Sequence, residues 1–221
     1  MSKFFGAPQF FMLSCAATMA LAGCKKSDQP SSYEYVDLGL SVKWATCNVG
    51  ATKPEESGDF FAWGETTSKA NYDWDTYAYC TGGSRYAITK YCDRADYGNV
   101  DNKTTLEMSD DAARVNWGGN WRMPTGAEIQ ELADQCTWTW TTQNGVGGCK
   151  VTGSNGNSIF LPAAGYMDKS EHIESNAGSL WSSSLEEGSP DDAYNLNFNE
   201  RGTDFGPVGR ENGFNIRAVI E

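Results

Sequence analysis

One amphipathic helix, followed only by strand-like segments, is the feature that most constrains the fold of this chain. The sequence PTGAE at residues 124–128 places a threonine three residues before a glutamate, which is the pattern of a helix capping box. One apolar face follows from the i, i+3, i+4 spacing of Ile129, Leu132 and Ala133. We therefore predict a helix that begins after Thr125 and ends near Cys136.

Short strands are predicted for the rest of the chain after this helix. Alternating or apolar runs stand at residues 137–142, 149–152, 158–162, 180–184, 194–198 and 214–219. The first two runs flank a glycine-rich turn, and the run at 158–162 is the most apolar, so we predict that it is a central strand. The last two runs alternate apolar with polar side chains, as half-buried antiparallel strands do.

The chain before the helix is less regular. Two short strands are predicted within residues 34–46, and a further strand-like run stands at 59–64. Residues 65–107 are rich in Gly, Asn, Asp and Tyr without a sustained period, which predicts a long loop region with a hairpin near Cys80. A cap residue and acidic side chains at 109–114 predict a second, short helix. The predicted fold class is α+β, with two short helices, several short antiparallel strands and long irregular loops.

The charge balance excludes one class of partner. The 17 Lys and Arg residues against 29 Asp and Glu residues give a formal net charge of −12. A nucleic-acid partner requires a basic face that replaces condensed counterions, so we predict no nucleic-acid binding. The length of 221 residues is sufficient for one domain with a real core.

The first residues have the pattern of a secretory signal. Lys3 supplies a short positive region, and the apolar stretch at residues 10–22 is shorter than a membrane span. The stretch ends in the residues LAGC at 21–24. This ending resembles the lipobox of bacterial lipoproteins, in which the cysteine is acylated and becomes the mature N-terminus.

The lipobox resemblance predicts the organisation of the N-terminal part. A signal peptide is expected at residues 1–23, followed at 24–34 by a lipidated Cys24 and a flexible tether, and a domain at 35–221. The acyl chains would then hold the protein on a membrane of the bacterial cell envelope, the outer membrane. The alternatives are an ordinary signal peptide that is cut nearby and a buried N-terminal helix.

Seven cysteines are present, and five of them lie beyond the predicted signal and anchor. An exported protein meets an oxidising compartment, where disulfides form. Local spacing predicts the pairs Cys80–Cys92 and Cys136–Cys149, with Cys47 free and buried. The alternative is that all five thiols are reduced and buried.

Five ordered blocks of the sequence carry a resemblance to a known family. They read YVDLGLSVKWATCNVGA, DDAARVNWGGNWRMPTGAEIQELADQC, SIFLPAAGY, LWSSS and GFNIRAVIE. These blocks are similar to the Fibrobacter succinogenes major paralogous domain, over about residues 35–221. That family occurs in envelope lipoproteins and secreted proteins of the Bacteroidota and their relatives. The resemblance implies a C-type lectin-like fold, a superfamily shared with formylglycine-generating enzymes.

An enzymatic function is not predicted. Formylglycine generation needs a reactive cysteine pair late in the domain, and the last cysteine here is Cys149. Formylglycine-generating-like oxidation is therefore kept only as a remote alternative. The single histidine, His172, stands in a predicted charged loop, so no Ser-His or Cys-His dyad can form without it.

No cofactor is predicted, and calcium is kept as an alternative. The tripeptides that supply calcium ligands in sugar-binding members of the superfamily do not occur in this sequence. Asp96, Asn99, Asp101 and Asn102 form an oxygen-rich stretch, but it lacks the spacing of an EF-hand loop. Such a stretch is commonly a turn-rich loop, so no metal-ligand set is assigned.

The long loop region is the predicted location of a ligand site. Trp74, Tyr77 and Tyr79 stand there with Asp101 and Asn102, and aromatic faces beside carboxylates and amides suit a hydroxyl-rich ligand. The alternative is that the three aromatic residues pack the loop onto the core. Four other tryptophans are assigned to the core or scaffold: Trp44, Trp117, Trp121 and Trp181.

The expected function is non-catalytic recognition of a glycan or protein by a lipid-anchored envelope protein. The alternative is a structural or assembly component of a surface appendage or envelope complex. An exposed aromatic groove would favour recognition, whereas a large apolar patch or a strand-accepting edge would favour assembly.

Overall fold

Short antiparallel strands dominate residues 33–221, which the computed structural model describes together with Met1. The strands are β1 (Tyr35–Val36), β2 (Lys43–Ala45), β3 (Thr137–Gln143), β4 (Val146–Thr152), β5 (Ser158–Pro162), β6 (Tyr166–Asp168), β7 (Glu171–Ile173), β8 (Ala177–Leu185), β9 (Asp192–Asn199), β10 (Gly202–Gly209) and β11 (Val219–Ile220). The helices are α1 (Ala112–Trp117) and α2 (Gly126–Gln135), so the predicted α+β class is confirmed. The predicted signal peptide and Cys24 lie outside the described residues.

The strands of the described region form small antiparallel sheets. Their orders are β1-β2-β11, β10-β9-β8, β3-β4-β5 and β6-β7. The described residues 33–221 belong to one compact unit. Neither α1 nor α2 is long and apolar enough to cross a bilayer, and no other helix in the described residues is.

Several predicted strands differ from the structure. The run at 158–162 forms β5, but β5 lies at an edge and β4 is the central strand of that sheet. Its apolar side chains are buried by core packing rather than by strands on both sides. The run at 59–64 makes only an isolated bridge from Phe61 to Phe214. It forms no continuous strand, because successive backbone groups of the run bond to different parts of the chain. His172 lies in strand β7 rather than in a loop, and β10 was not predicted.

The N-terminus of α2 has the predicted capping box. The backbone N–H of Glu128 donates to Thr125 Oγ1 at 3.2 Å, and the backbone N–H of Thr125 donates to Glu128 Oε2 at 2.8 Å. Arg122 donates from both Nη atoms to the Glu128 carboxylate, which ties the preceding strand segment to the cap. Ile129 and Leu132 are buried as the periodicity predicts. The helix start is therefore fixed by local chemistry.

Replacing Thr125 with alanine should lower the free energy of unfolding by about 1 kcal/mol. The substitution removes the acceptor of the Glu128 N–H and leaves one helix N–H without its cap. Urea denaturation of the two proteins measures the difference. The exposed Thr203 in β10 offers a matched control, because alanine there removes a threonine hydroxyl without touching a cap. Equal losses at the two positions would contradict the capping role.

The cap of α1 lies two residues later than Ser109, the residue that opens the predicted segment. The Asp111 carboxylate accepts from the backbone N–H of Arg114 at 2.9 Å and from that of Met123 at 2.8 Å. Burial raises the pKa of Asp111, and these backbone donors act against the rise. One buried side chain therefore caps α1 and also fixes the segment that leads to α2.

The core of the described region consists of two main apolar clusters. One is built around Trp63, Trp121 and Trp181, and the other around Trp44 and Phe198. Trp117 packs at the margin of the first cluster and stacks on Tyr33, with ring centroids 3.8 Å apart. The assignment of Trp44, Trp117, Trp121 and Trp181 to the core or scaffold is confirmed.

Arg217 is fully buried, and no acidic side chain among residues 33–221 pairs with it. Its guanidinium donates to neutral oxygens at 2.9–3.1 Å: Asn48 Oδ1 and the carbonyls of Ala45, Thr46 and Phe160. Burial lowers the pKa of Arg217 to about 10. These bonds connect the β2 segment, the following loop, β5 and the C-terminal segment through one side chain.

Arg210 performs a similar role for the long loop region. Its Nε donates to the Tyr77 hydroxyl at 2.6 Å, and its Nη atoms donate to the carbonyls of Lys90, Tyr91 and Pro190 at 2.8–3.0 Å. The guanidinium also lies 4.9 Å from the Trp63 ring centroid, within cation–π range. The long loop region is thereby held to the core by a single buried cation.

Candidate functional site

The structure places the three predicted ligand-binding aromatic residues against the core. Tyr77 is buried and donates its hydroxyl to the Trp63 carbonyl at 2.7 Å, so it cannot stack on a ligand. Tyr79 is half-buried and donates to the Gly64 carbonyl at 3.1 Å. Trp74 is half-buried and lies edge-on against Tyr77, with ring centroids 5.4 Å apart. The ligand-site prediction is therefore wrong for Tyr77, and all three residues pack the loop onto the core.

Asp101 and Asn102 shape the backbone of the same loop region. The Asp101 carboxylate accepts from the backbone N–H groups of Tyr91 and Cys92, both at 2.9 Å. Burial raises the pKa of Asp101, but backbone donors outweigh it and hold the pKa below the usual range. Asn102 has a φ of +55° and donates its backbone N–H to the Cys92 carbonyl. Both residues thus hold a turn together.

The predicted Cys136–Cys149 disulfide is not formed. Both residues are free thiols, and Cys149 in β4 stands opposite Trp140 of β3. Cys136 precedes β3, four residues from Trp140. At about 3.3 Å per residue the two cysteines are about 13 Å apart along the strand, too far for a disulfide.

The predicted Cys80–Cys92 disulfide is also absent. Cys80 forms a bridge with Ile88, which confirms a hairpin near Cys80 but leaves Cys92 four residues away. The Cys80 thiol donates to the Trp74 carbonyl at 2.9 Å, and the Cys92 thiol donates to the Arg94 carbonyl at 3.1 Å. Cys47 is free and buried as predicted. The five described thiols correspond to the reduced alternative, although Cys80 and Cys136 are only half-buried.

An open groove of about 480 Å³ lies where the N-terminus of α2 meets β8, β9 and β10. We call it the α2 groove. The residues that define it are Thr104, Thr105, Gln130, Glu186, Tyr194 and Phe205. The two threonines belong to the end of the long loop region, and the others belong to α2, the turn after β8, β9 and β10. Five separate parts of the chain therefore converge on one surface.

Two stacked rings form the aromatic wall of the α2 groove. The Tyr194 and Phe205 rings have centroids 5.1 Å apart and an interplanar angle of 10°. Phe205 stands opposite Leu196 and Tyr194 opposite Pro207, so the two rings are diagonal neighbours across the β9–β10 pair. Both side chains are half-buried. The sheet thus presents this stacked pair of rings to the groove.

Polar groups line the groove beside this wall. The Glu186 carboxylate beside the Tyr194 hydroxyl raises the pKa of Tyr194, and burial adds to the rise. Glu186 Oε2 is shielded from solvent but has no hydrogen-bond partner among the described residues. Buried carboxylate oxygens normally accept a hydrogen bond. The Glu186 carboxylate therefore lines the groove beside the hydroxyls of Thr104 and Thr105 and the amide of Gln130, and one of its oxygens lacks a donor within the described region.

Gly126 sets the distance between α2 and the groove floor. Its backbone N–H donates to Ser184 Oγ at 3.0 Å. A Cβ atom at this position would lie 3.3 Å from Phe205 Cζ and 3.4 Å from Ser184 Cβ, which is tight packing. A residue without a side chain thus allows the helix start to approach β8 and the aromatic wall closely.

No known protein family, curated protein or solved structure matches the chain. Within residues 33–221, no group of three or more His, Cys, Asp or Glu side chains is arranged to hold a metal ion. We therefore argue function from the chemistry of the α2 groove.

Some residues of the groove lie in segments for which the sequence predicts a site or a strand. Thr104 and Thr105 lie in the segment where a ligand site was predicted, and Tyr194 lies in a predicted strand. Phe205 was missed because β10 contains three glycines and a proline, which obscure alternation. The pairing of Phe205 with Tyr194 depends on strand register, which no local pattern reveals.

The buried Glu211 carboxyl predicts a pH-dependent stability difference. Burial raises its pKa, and so do the nearby Asp192 and Asp191 charges, while Glu211 Oε2 has no hydrogen-bond partner among the described residues. A carboxyl whose folded-state pKa is raised destabilises the fold as pH rises above its unfolded value of about 4.3. Glu211→Gln should therefore raise the urea midpoint at pH 7, and the gain should disappear at pH 4 or below.

Glu200 in the β9–β10 turn is exposed and provides the control. Glu200→Gln should leave the urea midpoint nearly unchanged at both pH values. A Glu211→Gln protein that is less stable than the parent at pH 7 would show that the Glu211 charge is stabilising, contrary to this prediction.

Proposed function

We propose that this protein recognises a glycan in the α2 groove, without catalysis, as a lipid-anchored protein of the bacterial cell envelope. The observation that carries the proposal is the stacked Tyr194–Phe205 wall beside a carboxylate oxygen without a donor. The apolar face of a sugar ring can lie on such a wall, while its hydroxyls donate to Glu186 and bond to the threonines. The acidic net charge of −12 favours neutral or cationic sugars over anionic ones.

The proposed domain type is the C-type lectin-like fold that the sequence blocks resemble. Two short helices, small antiparallel sheets and a long loop region held to the core support this proposal. The groove is built partly by the end of that loop region, at Thr104 and Thr105. Open, shallow geometry with polar and aromatic lining is suited to reversible binding of part of a longer chain.

A glycan array identifies the ligand, and a Phe205→Ala protein then tests the site. The expected affinity loss is about two- to ten-fold, because one stacking ring contributes roughly 0.5–1.5 kcal/mol. Tyr86→Ala is the matched control, since Tyr86 is an aromatic residue that is 55% exposed and does not line the α2 groove. Isothermal titration measures binding, and melting curves show that each protein is folded.

A second variant tests the groove while leaving the aromatic wall intact. Thr105 is exposed at the groove margin, so Thr105→Trp should fill the groove without disturbing the core. Glycan binding that survives both Phe205→Ala and Thr105→Trp, or that is lost in Tyr86→Ala, would place the ligand elsewhere and refute the proposal.

A further inference from the structure

The outer edge of β3 has no backbone partner in the part of the chain that the structure describes. β3 pairs with β4 over seven residues, Thr137 to Gln143, without a bulge. No backbone hydrogen bond from any other described segment reaches residues 137–143. Unpaired strand edges of this length are templates for pairing with another strand.

The register of β3 shows which backbone groups face outward. Asn144 and Gly145 have φ values of +50° and +87°, which define a two-residue type I′ turn. The Gly147 carbonyl accepts from the Ala163 N–H on the β5 side, so Gly147 and its partner Thr142 are a non-hydrogen-bonded pair of the β3–β4 ladder. The outward N–H and C=O groups are therefore those of Thr142 and, by alternation, Trp140 and Trp138.

The β3 edge lacks the features that usually protect an edge strand. Its sequence TWTWTTQ contains no charge, proline or glycine. The β10 edge, in contrast, contains Asp204 and Pro207, and the free side of β8 is covered by bridges to Asn215 and Thr105. Among the longer strands of the described region, β3 therefore has an open edge without such protection.

The strand is also held rigidly in place. Trp138 donates from Nε1 to the Leu132 carbonyl of α2 at 3.3 Å, and its ring lies 5.7 Å from that of Phe198. Trp138 and Trp140 pack against the second core cluster, so the backbone is presented in a fixed, extended form. A rigid edge loses little conformational entropy when it pairs.

We infer that β3 pairs antiparallel with β3 of a second copy of this chain, about a two-fold axis at Trp140. The outward positions are symmetric about that residue, so Trp138 faces Thr142 of the partner and Trp140 faces Trp140 of the partner. Each of the three pairs exchanges two hydrogen bonds, and the two three-stranded sheets become one continuous sheet. The pairing is isologous and closes after two copies.

The β3 edge favours a second copy as the occupant, because its outward positions are uncharged and symmetric about Trp140. Two chains with a formal charge of −12 each repel one another, and the uncharged β3 edge is a surface where they can approach without opposed carboxylates. The contact is confined to one strand, which is smaller than a standard interface. The dimer should therefore be weak, form in the micromolar range, and strengthen as salt screens the repulsion.

Sedimentation equilibrium of the full chain, in reductant and over a concentration series, measures this association. The mean mass should rise from that of one chain towards twice that value, and rise further at higher ionic strength. Thr142→Pro removes an outward N–H but no bond to β4, so it should weaken association at least ten-fold without lowering the melting temperature much. Thr203→Pro, on the exposed part of β10, is the matched control and should dimerise like the parent.

A charge pair tests the register independently. In the inferred pairing, position 139 faces position 141 of the partner, and Thr139 stands beside Lys150 of its own sheet. The double substitution Thr139→Glu with Thr141→Lys should therefore dimerise more tightly than either single substitution. A parent protein that stays monomeric at all concentrations, or a double variant no tighter than the singles, would overturn the inference.

Discussion

Replacing Arg217 with methionine should lower the free energy of unfolding by about 4 kcal/mol, which is a large fraction of the stability of an ordinary domain. Methionine keeps much of the side-chain volume but leaves four buried oxygens without their donor. An unsatisfied buried polar group costs about 1–3 kcal/mol, and partial relaxation reduces the sum. Urea denaturation at neutral pH measures the change, with the slope as a check on two-state unfolding.

The control for this prediction is Arg201→Met in the exposed β9–β10 turn. That substitution should change the free energy of unfolding by less than about 0.5 kcal/mol. A loss below 1 kcal/mol for Arg217→Met would mean that the buried charge itself destabilises the fold as much as its hydrogen bonds stabilise it.

Replacing Cys24 with serine should abolish acylation of the protein and the detergent partition that depends on it. Lipidation requires the thiol, so the variant should be soluble or keep its signal peptide, and it should leave the detergent phase on phase partition. Acyl chains contribute about 0.8 kcal/mol per buried CH₂, so their loss cannot be compensated by weak surface contacts.

Cys15→Ser is the matched control, because Cys15 stands in the apolar stretch and not at the predicted attachment position. It should partition into detergent like the parent. An unchanged partition of the Cys24→Ser protein would contradict the lipoprotein proposal, whatever the outcome of the glycan experiments.

Local chemistry explains which parts of the fold were predictable. The capping box of Thr125 and Glu128 and the hairpin around Gly145 are decided by residues within a few positions of each other, and both were predicted. The cysteine pairs were wrong because closeness along the chain was taken for closeness in space. An extended strand separates Cys136 from Cys149 even though its hairpin brings other residues together.

The candidate site was less predictable because long-range contacts decide it. Tyr77 lies in a loop sequence that gives no sign of burial, and Arg210, 133 positions later, is the residue that pairs with it. Tyr194 and Phe205 become neighbours only through the register of β9 and β10. Composition located aromatic and polar residues in the long loop region, but packing determines which of them stay available to a ligand.

The anchoring of the long loop region by Arg210 has a consequence for how this protein can diversify. Three of its four acceptors are main-chain carbonyls, at Lys90, Tyr91 and Pro190. Such acceptors are present whatever side chain stands at those positions, so selection need preserve only the arginine, Tyr77 and the backbone path. The exposed stretch between the hairpin positions Cys80 and Ile88 is then free to change in length and sequence. It is the natural place to graft a new epitope or recognition loop onto this scaffold.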